Sequence, residues 1–221
     1  QQKKVLAELS GTNLNKPFLL QGITGSGKTE IYLRAIEPHL KRERQALILV
    51  PEIGLTPQIV SRFETRFGTE VAVINSSLTD KHRAKAWIAA KEGKSRIILG
   101  TRSAIFTPLK NLGIIIVDEE HDLSYKQQEG FRYSARDLAI YRSHAEHIPI
   151  ILGSATPSLE SLSNAKKGKY KKLILDSRPA ESQPETYKVI DTSQLSTREG
   201  LTQLAIQSIE NTRSSGKQAL V

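Results

Sequence analysis

Residues 17–29, PFLLQGITGSGKT, decide the fold. An apolar run, PFLLQ (17–21), feeds directly into GITGSGKT (22–29), which fits the spacing G-x-x-x-x-G-K-[ST]. The glycines let backbone N–H groups turn inward toward phosphate oxygens, and a helix starting at the far end adds its positive pole. In such a loop Gly22, Ile23, Thr24, Gly25, Ser26 and Gly27 cradle the phosphates. Lys28 reaches the β- and γ-phosphates, and the Thr29 hydroxyl is a Mg²⁺ ligand. An ordinary glycine-rich turn also satisfies the spacing, but the flanking strand and helix patterns favour the phosphate loop.

Working outward, more short apolar runs follow: ALILV (46–50), VAVI (71–74), RIILG (96–100), GIIIVD (113–118) and PIILGS (149–154). They do not alternate with polar residues, as expected of strands buried on both faces. Helix patterns near 28–43, 57–67, 79–92 and 134–147 separate them, with Pro57 at a first turn and Gly68 and Gly93 at helix ends. Strand–helix alternation predicts an α/β domain, a doubly wound and mostly parallel sheet over residues 1–176. Polar residues with Pro179 and Pro184 mark a loop over Ser177–Glu185. Leu201, Leu204, Ala205 and Ile209 then predict an amphipathic helix within a linker region 177–217. The final residues 218–221 read as the opening strand of a following domain, and the chain as a piece of a longer protein.

Composition narrows the chemistry. The 221 residues contain no cysteine, which excludes disulfides, thiolate catalysis and zinc–thiolate sites within them. Apolar runs such as ALILV and GIIIV are five residues long, far short of the roughly 20 that a membrane helix needs. The start, QQKKVLAELSG, lacks an apolar signal-peptide core, so a cytoplasmic location is expected. With 32 basic and 23 acidic residues the net charge is +9, which favours an anionic partner such as nucleic acid.

The second chemical motif is GIIIVDEEH (113–121). Asp118, at the end of a predicted strand, is placed to hold Mg²⁺. Glu119 is placed to polarise an attacking water as general base. No N-K-x-D motif follows, which argues against a GTPase. The box D-E-E-H points instead to the superfamily 2 helicases and translocases.

Five blocks sharpen that likeness: GITGSGKTEIYL (22–33), LVPEIGLTPQ (49–58), GTRSAIFTPLKNLG (100–113), DEEHDLSYKQQEGFRYSARD (118–137) and LGSATPSLESL (152–162). Together they resemble the PriA family of bacterial replication-restart helicases. The resemblance implies a RecA-like first helicase lobe that uses ATP and Mg²⁺, with zinc only in parts of the family outside these residues. It implies 3′→5′ unwinding and, as partners, single-stranded DNA, branched forks, primosome proteins and single-strand-binding protein, with no membrane. Glu120 and His121 complete the nucleotide box, and Gln2 is the candidate adenine contact. Pro51, Glu52 and Gly54, and then Thr101, Arg102 and Ser103, fall in loops that line the single-strand track. Ser154 and Thr156 match a motif linking nucleotide state to DNA grip.

The stretch Ser124–Arg136 sets Tyr125, Phe131 and Tyr133 among Lys126, Arg132 and Arg136. Rings in a polar loop suit base stacking, with basic neighbours on the backbone. For each ring, packing into the local core remains the alternative. Two other functions stay open: a double-strand DNA translocase, and a nucleotide- and DNA-binding module without turnover. Plainer readings apply elsewhere. KKGKYKK (166–172) is expected as a solvated turn, Trp87 as core, and His144 with His147 as no metal site.

Overall fold

A computed structural model describes residues 2–9, 16–175, 189–193 and 195–221. The predicted loop at Ser177–Glu185 lies outside them. The chain divides into two units, Gln1–Glu181 and Ser182–Val221.

In the first unit the elements run α1 (Gln2–Leu9), β1 (Phe18–Gly22), α2 (Lys28–Lys41), β2 (Gln45–Leu49), α3 (Pro57–Phe67), β3 (Val71–Ile74), α4 (Asp80–Lys91), β4 (Ile97–Gly100) and β5 (Leu112–Val117). There follow β6 (Lys126–Gln127), β7 (Tyr133–Ser134), α5 (Ala135–Ala145), β8 (Ile150–Ser154), α6 (Leu159–Lys166) and β9 (Lys171–Leu175). Seven strands form one sheet in the order β3-β4-β2-β5-β8-β1-β9, and every pairing in it is parallel. The doubly wound α/β lobe read from the sequence is therefore present.

Both faces of this sheet are covered, which explains the uninterrupted apolar strands. Phe18, Leu20, Ile48 and Ile116 pack on one face with Ile31 and Ile36 of α2 and Phe63 of α3. Leu19, Leu47, Ile115 and Val117 point the other way, toward Ala135 and Ala139 of α5. Helix α3 begins as its sequence requires: Pro57 sits in its first turn and the Thr56 hydroxyl accepts from Ile59 N. Gly68 closes it in the left-handed region, with φ 61°.

The sequence reading did not anticipate α1, α6, β9 or the two-residue strands β6 and β7. The KKGKYKK tract is only partly a turn. Lys171 and Lys172 start β9, whose Leu173 and Leu175 are buried beside β1. Trp87 is not core either; it is 36% exposed. Ala86 and Ala90, one turn apart on α4, face the sheet, and Trp87 is rotated about 100° from Ala86 and about 60° from Ala90.

The second unit holds a short hairpin, β10 (Thr197–Arg198) with β11 (Leu201–Thr202), leading into α7 (Gln203–Ser214). A helix is present there with Leu204, Ala205 and Ile209, but Leu201, counted into it from the sequence, lies in β11. The strand expected at 218–221 is not formed, since a strand needs a hydrogen-bonding edge and these residues pair with none among the described ones. Among the described residues, no helix is long and apolar enough to cross a membrane.

One packing detail makes the fold pH-sensitive. His39 sits in the last turn of α2 with Nδ1 buried and unpartnered. Burial, with Arg44 and Arg42 close by, pushes its pKa down to about 4. The unfolded chain takes up this proton below about pH 6.5, whereas the folded chain refuses it until about pH 4. Stability therefore falls as the pH drops through that window. The loss of melting temperature between pH 7 and pH 5 is expected to be smaller in His39→Gln than in the natural chain. An equal loss in both proteins would contradict this.

Candidate nucleotide site and its DNA-facing loop

The parallel sheet brings the C-terminal ends of β1, β2, β4, β5 and β8 to one edge. At the end of β1 the phosphate loop is held open by its own geometry. Gly25 and Gly27 lie at φ 80° and 91°, where a side chain would be strained. Gly27 precedes α2 without any side-chain cap, so the first N–H groups of that helix remain available to an anion. The Ser26 hydroxyl is buried with no partner. Lys28 Nζ donates to Gly22 O at 3.0 Å and lies 3.4 Å from Glu119 Oε1. A buried lysine facing open N–H groups and an orphan hydroxyl fits a phosphate chain.

The DEEH box is clamped by its neighbours: Asp118 N donates to Leu49 O and Glu120 N to Gly153 O, both at 2.9 Å. The residue between them, Glu119, takes the left-handed conformation at φ 45°. That is costly for a non-glycine residue, about 1 kcal/mol or more, and it splays three successive carboxylates in three directions. Asp118 Oδ1 accepts from Tyr32 OH at 2.8 Å and from Glu119 N at 3.0 Å. Burial pushes the Asp118 carboxyl pKa up. Burial and the Asp118 charge push the Tyr32 phenol well above its ordinary range, so it stays a donor. Glu119 turns toward Lys28, with Oε2 3.7 Å from His121 Nδ1.

Glu120 does not join the nucleotide group expected for it. Its buried carboxylate accepts from Ser158 N (2.7 Å), Ser161 Oγ (2.9 Å), Ser158 Oγ (3.1 Å) and Arg136 (3.2 Å). A buried carboxylate needs such donors, and these tie β5 to the start of α6 and to α5. His121 does stay at the site, 2.8 Å from Ser154 Oγ and 3.4 Å from Thr156 Oγ1. The DEEH and GSAT motifs therefore touch directly.

The DNA candidates separate into two groups. Phe131 is 77% exposed, and Lys126 and Arg132 are exposed beside it. Tyr133 is half-buried between Phe106 and Phe131, with ring centroids 4.9 Å and 5.9 Å away. Tyr125 is different: it is 1% exposed, and its hydroxyl donates to the Asp118 carbonyl at 2.6 Å. It cannot stack on a base without leaving the core. Arg102 is also engaged, donating to Ser124 O at 3.0 Å and Lys126 O at 3.2 Å. Thr101 is buried at the end of β4, and only Ser103 of that motif is exposed.

Elsewhere, Glu52 and Gly54 form a short turn after Pro51, and Glu52 accepts from Ser76 Oγ at 3.1 Å. Gln2 opens α1, which packs on α2 and β9. Among the described residues, no three His, Asp or Glu side chains gather as a metal cluster, at His144 and His147 or anywhere else. The sequence reading assigned no role to Tyr32, Ser158 or Ser161. Only Tyr32 carried a signal, one helical turn past Lys28 and so on the same face of α2.

Residues 1–165 match the family described as DEAD/DEAH box helicase. The chain belongs to that family. Membership implies a nucleotide site, and this helicase lobe has its phosphate loop and acidic box side by side. The chain is similar to "Replication restart protein PriA" of Haemophilus influenzae, 50% identical over 212 residues, covering 96% of this chain and 29% of that protein. The protein of the same name from Rickettsia conorii is 41% identical over 223 residues, covering 100% of this chain and 34% of its own length. The helicase lobe thus spans about a third of these relatives. Among solved structures, RecG bound to a three-way DNA junction matches with TM-score 0.59 and 25% identity, over 82% of this chain and 24% of that one. A DEAD box protein from Methanococcus jannaschii shares the fold, with TM-score 0.54 and 24% identity, over 79% and 48% of the two chains.

The division of the aromatic loop is open to a direct check. Tyr125→Ala is expected to cost about 3–5 kcal/mol in urea unfolding, as for a buried aromatic. Phe131→Ala should stay within about 0.5 kcal/mol, as for an exposed position. Equal losses at the two positions would overturn this assignment.

Proposed function

We propose that this chain is the ATP-binding first lobe of a DNA helicase acting in replication restart, working 3′→5′ on single-stranded DNA. The observation that carries the reading is the pairing of Lys28 with Glu119 beside a half-buried Asp118, with the aromatic loop hydrogen-bonded to the same box. The similarity to replication restart proteins supports the cellular role. Branched forks, primosome proteins and single-strand-binding protein are the partners that this role implies, in the cytoplasm.

In this reading Gly22–Thr29 hold the triphosphate, while Thr29 and Asp118 hold Mg²⁺, which supplies charge neutralisation on the phosphates. Lys28 leaves Glu119 for a phosphate oxygen when the nucleotide enters. Glu119, released from that ion pair, then accepts the proton of the attacking water. DNA settles on Phe131, Lys126 and Arg132. Two hydrogen bonds carry its pull inward: Tyr125 to the Asp118 carbonyl, and Arg136 to Glu120. Arg102 moors the root of the loop. Ser154 and Thr156, through His121, bring in the GSAT segment.

Three measurements on the intact helicase test this. Glu119→Gln should lower ATP turnover by roughly 100-fold or more while nucleotide affinity stays close to normal. Phe131→Ala with Arg132→Ala should reduce DNA stimulation of the ATPase and leave the basal rate unchanged. Strand displacement should proceed from a 3′ overhang and fail from a 5′ overhang. Near-normal turnover in Glu119→Gln, or displacement from the 5′ overhang alone, would contradict the proposal.

A further inference from the structure

Tyr32 has no part in the roles above, yet it is among the largest fully buried side chains of the chain. It lies on α2, one turn past Lys28, and reaches across to the end of β5. A phenol in a buried site needs an acceptor, and here the acceptor is Asp118 Oδ1 at 2.8 Å. The Glu119 N–H donates to the same oxygen at 3.0 Å. Among the described residues, no donor reaches Oδ2. The carboxylate is therefore asymmetric, with one oxygen doubly satisfied and one left over. The fold also makes room for this phenol. A Cβ on Gly153, in β8, would overlap the Tyr32 hydroxyl, so glycine at that place is the socket for the ring. Three elements thus converge on one hydroxyl: the helix that the phosphate loop opens, the acidic box and the GSAT strand.

We infer that Tyr32 is a positioning residue that holds Asp118 by Oδ1 and thereby presents Oδ2 to the divalent cation. This rests on the proposed reading of Asp118 as a cation ligand. Groups that hydrogen-bond a ligating carboxylate fix its orientation, and their loss commonly weakens metal binding by about 10–100-fold. Phenylalanine keeps the ring in the same slot and removes only the donor. Without it Oδ1 keeps only the local Glu119 N–H, and Oδ2 is held outward less firmly. Because Tyr32 sits on α2, the link also couples cation geometry to the helix that carries Lys28 and Thr29.

The experiment measures the affinity of the chain for a fluorescent ADP analogue, once in EDTA and once in excess Mg²⁺. The ratio of the two dissociation constants reports cation coupling, and thermal melting reports folding. In Tyr32→Phe the EDTA constant should stay within about twofold while the ratio falls about tenfold toward one. A merely structural role would lower the melting temperature and weaken both constants together, leaving the ratio intact; that result overturns the inference. Asp118→Asn separates the inference from the reading beneath it. If Asp118→Asn collapses the ratio and Tyr32→Phe preserves it, the positioning role alone is wrong. If Asp118→Asn also preserves the ratio, Asp118 does not meet the cation and both fall. Tyr32→Met, which gives up the hydroxyl with an adaptable side chain, carries the same readout should the phenylalanine protein not fold.

Discussion

A parallel sheet buried on both faces brings the C-terminal ends of all its strands to one edge, and the rest of this molecule depends on that constraint. Loops that are far apart in sequence, at residues 22–29, 118–121 and 154–156, become neighbours because β1, β8 and β5 are adjacent. The hydrophobic faces supply the stability, so the edge is free to carry polar and strained groups. It carries a lysine facing a glutamate, a desolvated aspartate and a left-handed glutamate. Such features cost stability and are found where chemistry is done.

The left-handed turn at Glu119 sorts the box. A regular extended run would send alternate side chains to opposite faces; here three consecutive acids go three ways. Asp118 meets α2 through Tyr32, Glu119 meets Lys28, and Glu120 sinks among the serines of α6 and Arg136 of α5. Each neighbour belongs to a different motif, so one strand end serves as the junction of the site. The aromatic loop joins that junction at both of its roots. Tyr125 holds it to the Asp118 carbonyl at one end, and Arg136 holds it to Glu120 at the other. Between them the short β6–β7 pairing, Arg102 on Lys126 O and Phe106 against Tyr133 stiffen the stem, leaving Phe131 exposed near the tip.

Most of the lobe was legible in the sequence because buried parallel strands are written as apolar runs that little else resembles. What escaped had weak local signals. Strand β9 hides in a lysine tract, where only Leu173 and Leu175 alternate inward. The misreading of Trp87 came from weighing a residue type against a helix whose sheet-facing positions are alanines. At the site, residue identities were readable, but the direction of each side chain was not. Nothing in DEEH says that Glu120 points away from the phosphate loop, because that follows from the backbone at Glu119. Likewise, one aromatic loop reads as one unit, although burial divides Tyr125 from Phe131.

In the proposed mechanism, contact at the loop tip reaches the acidic box through the Tyr125 hydroxyl. A double-mutant cycle on DNA-stimulated ATPase, pairing Phe131→Ala with Tyr125→Phe in the intact helicase, tests it most directly. If both residues act along one path, removing the second adds little once the first is gone. The interaction energy then lies in the range of about 0.5–3 kcal/mol found for coupled sites. Strictly additive effects of the two substitutions would contradict the account.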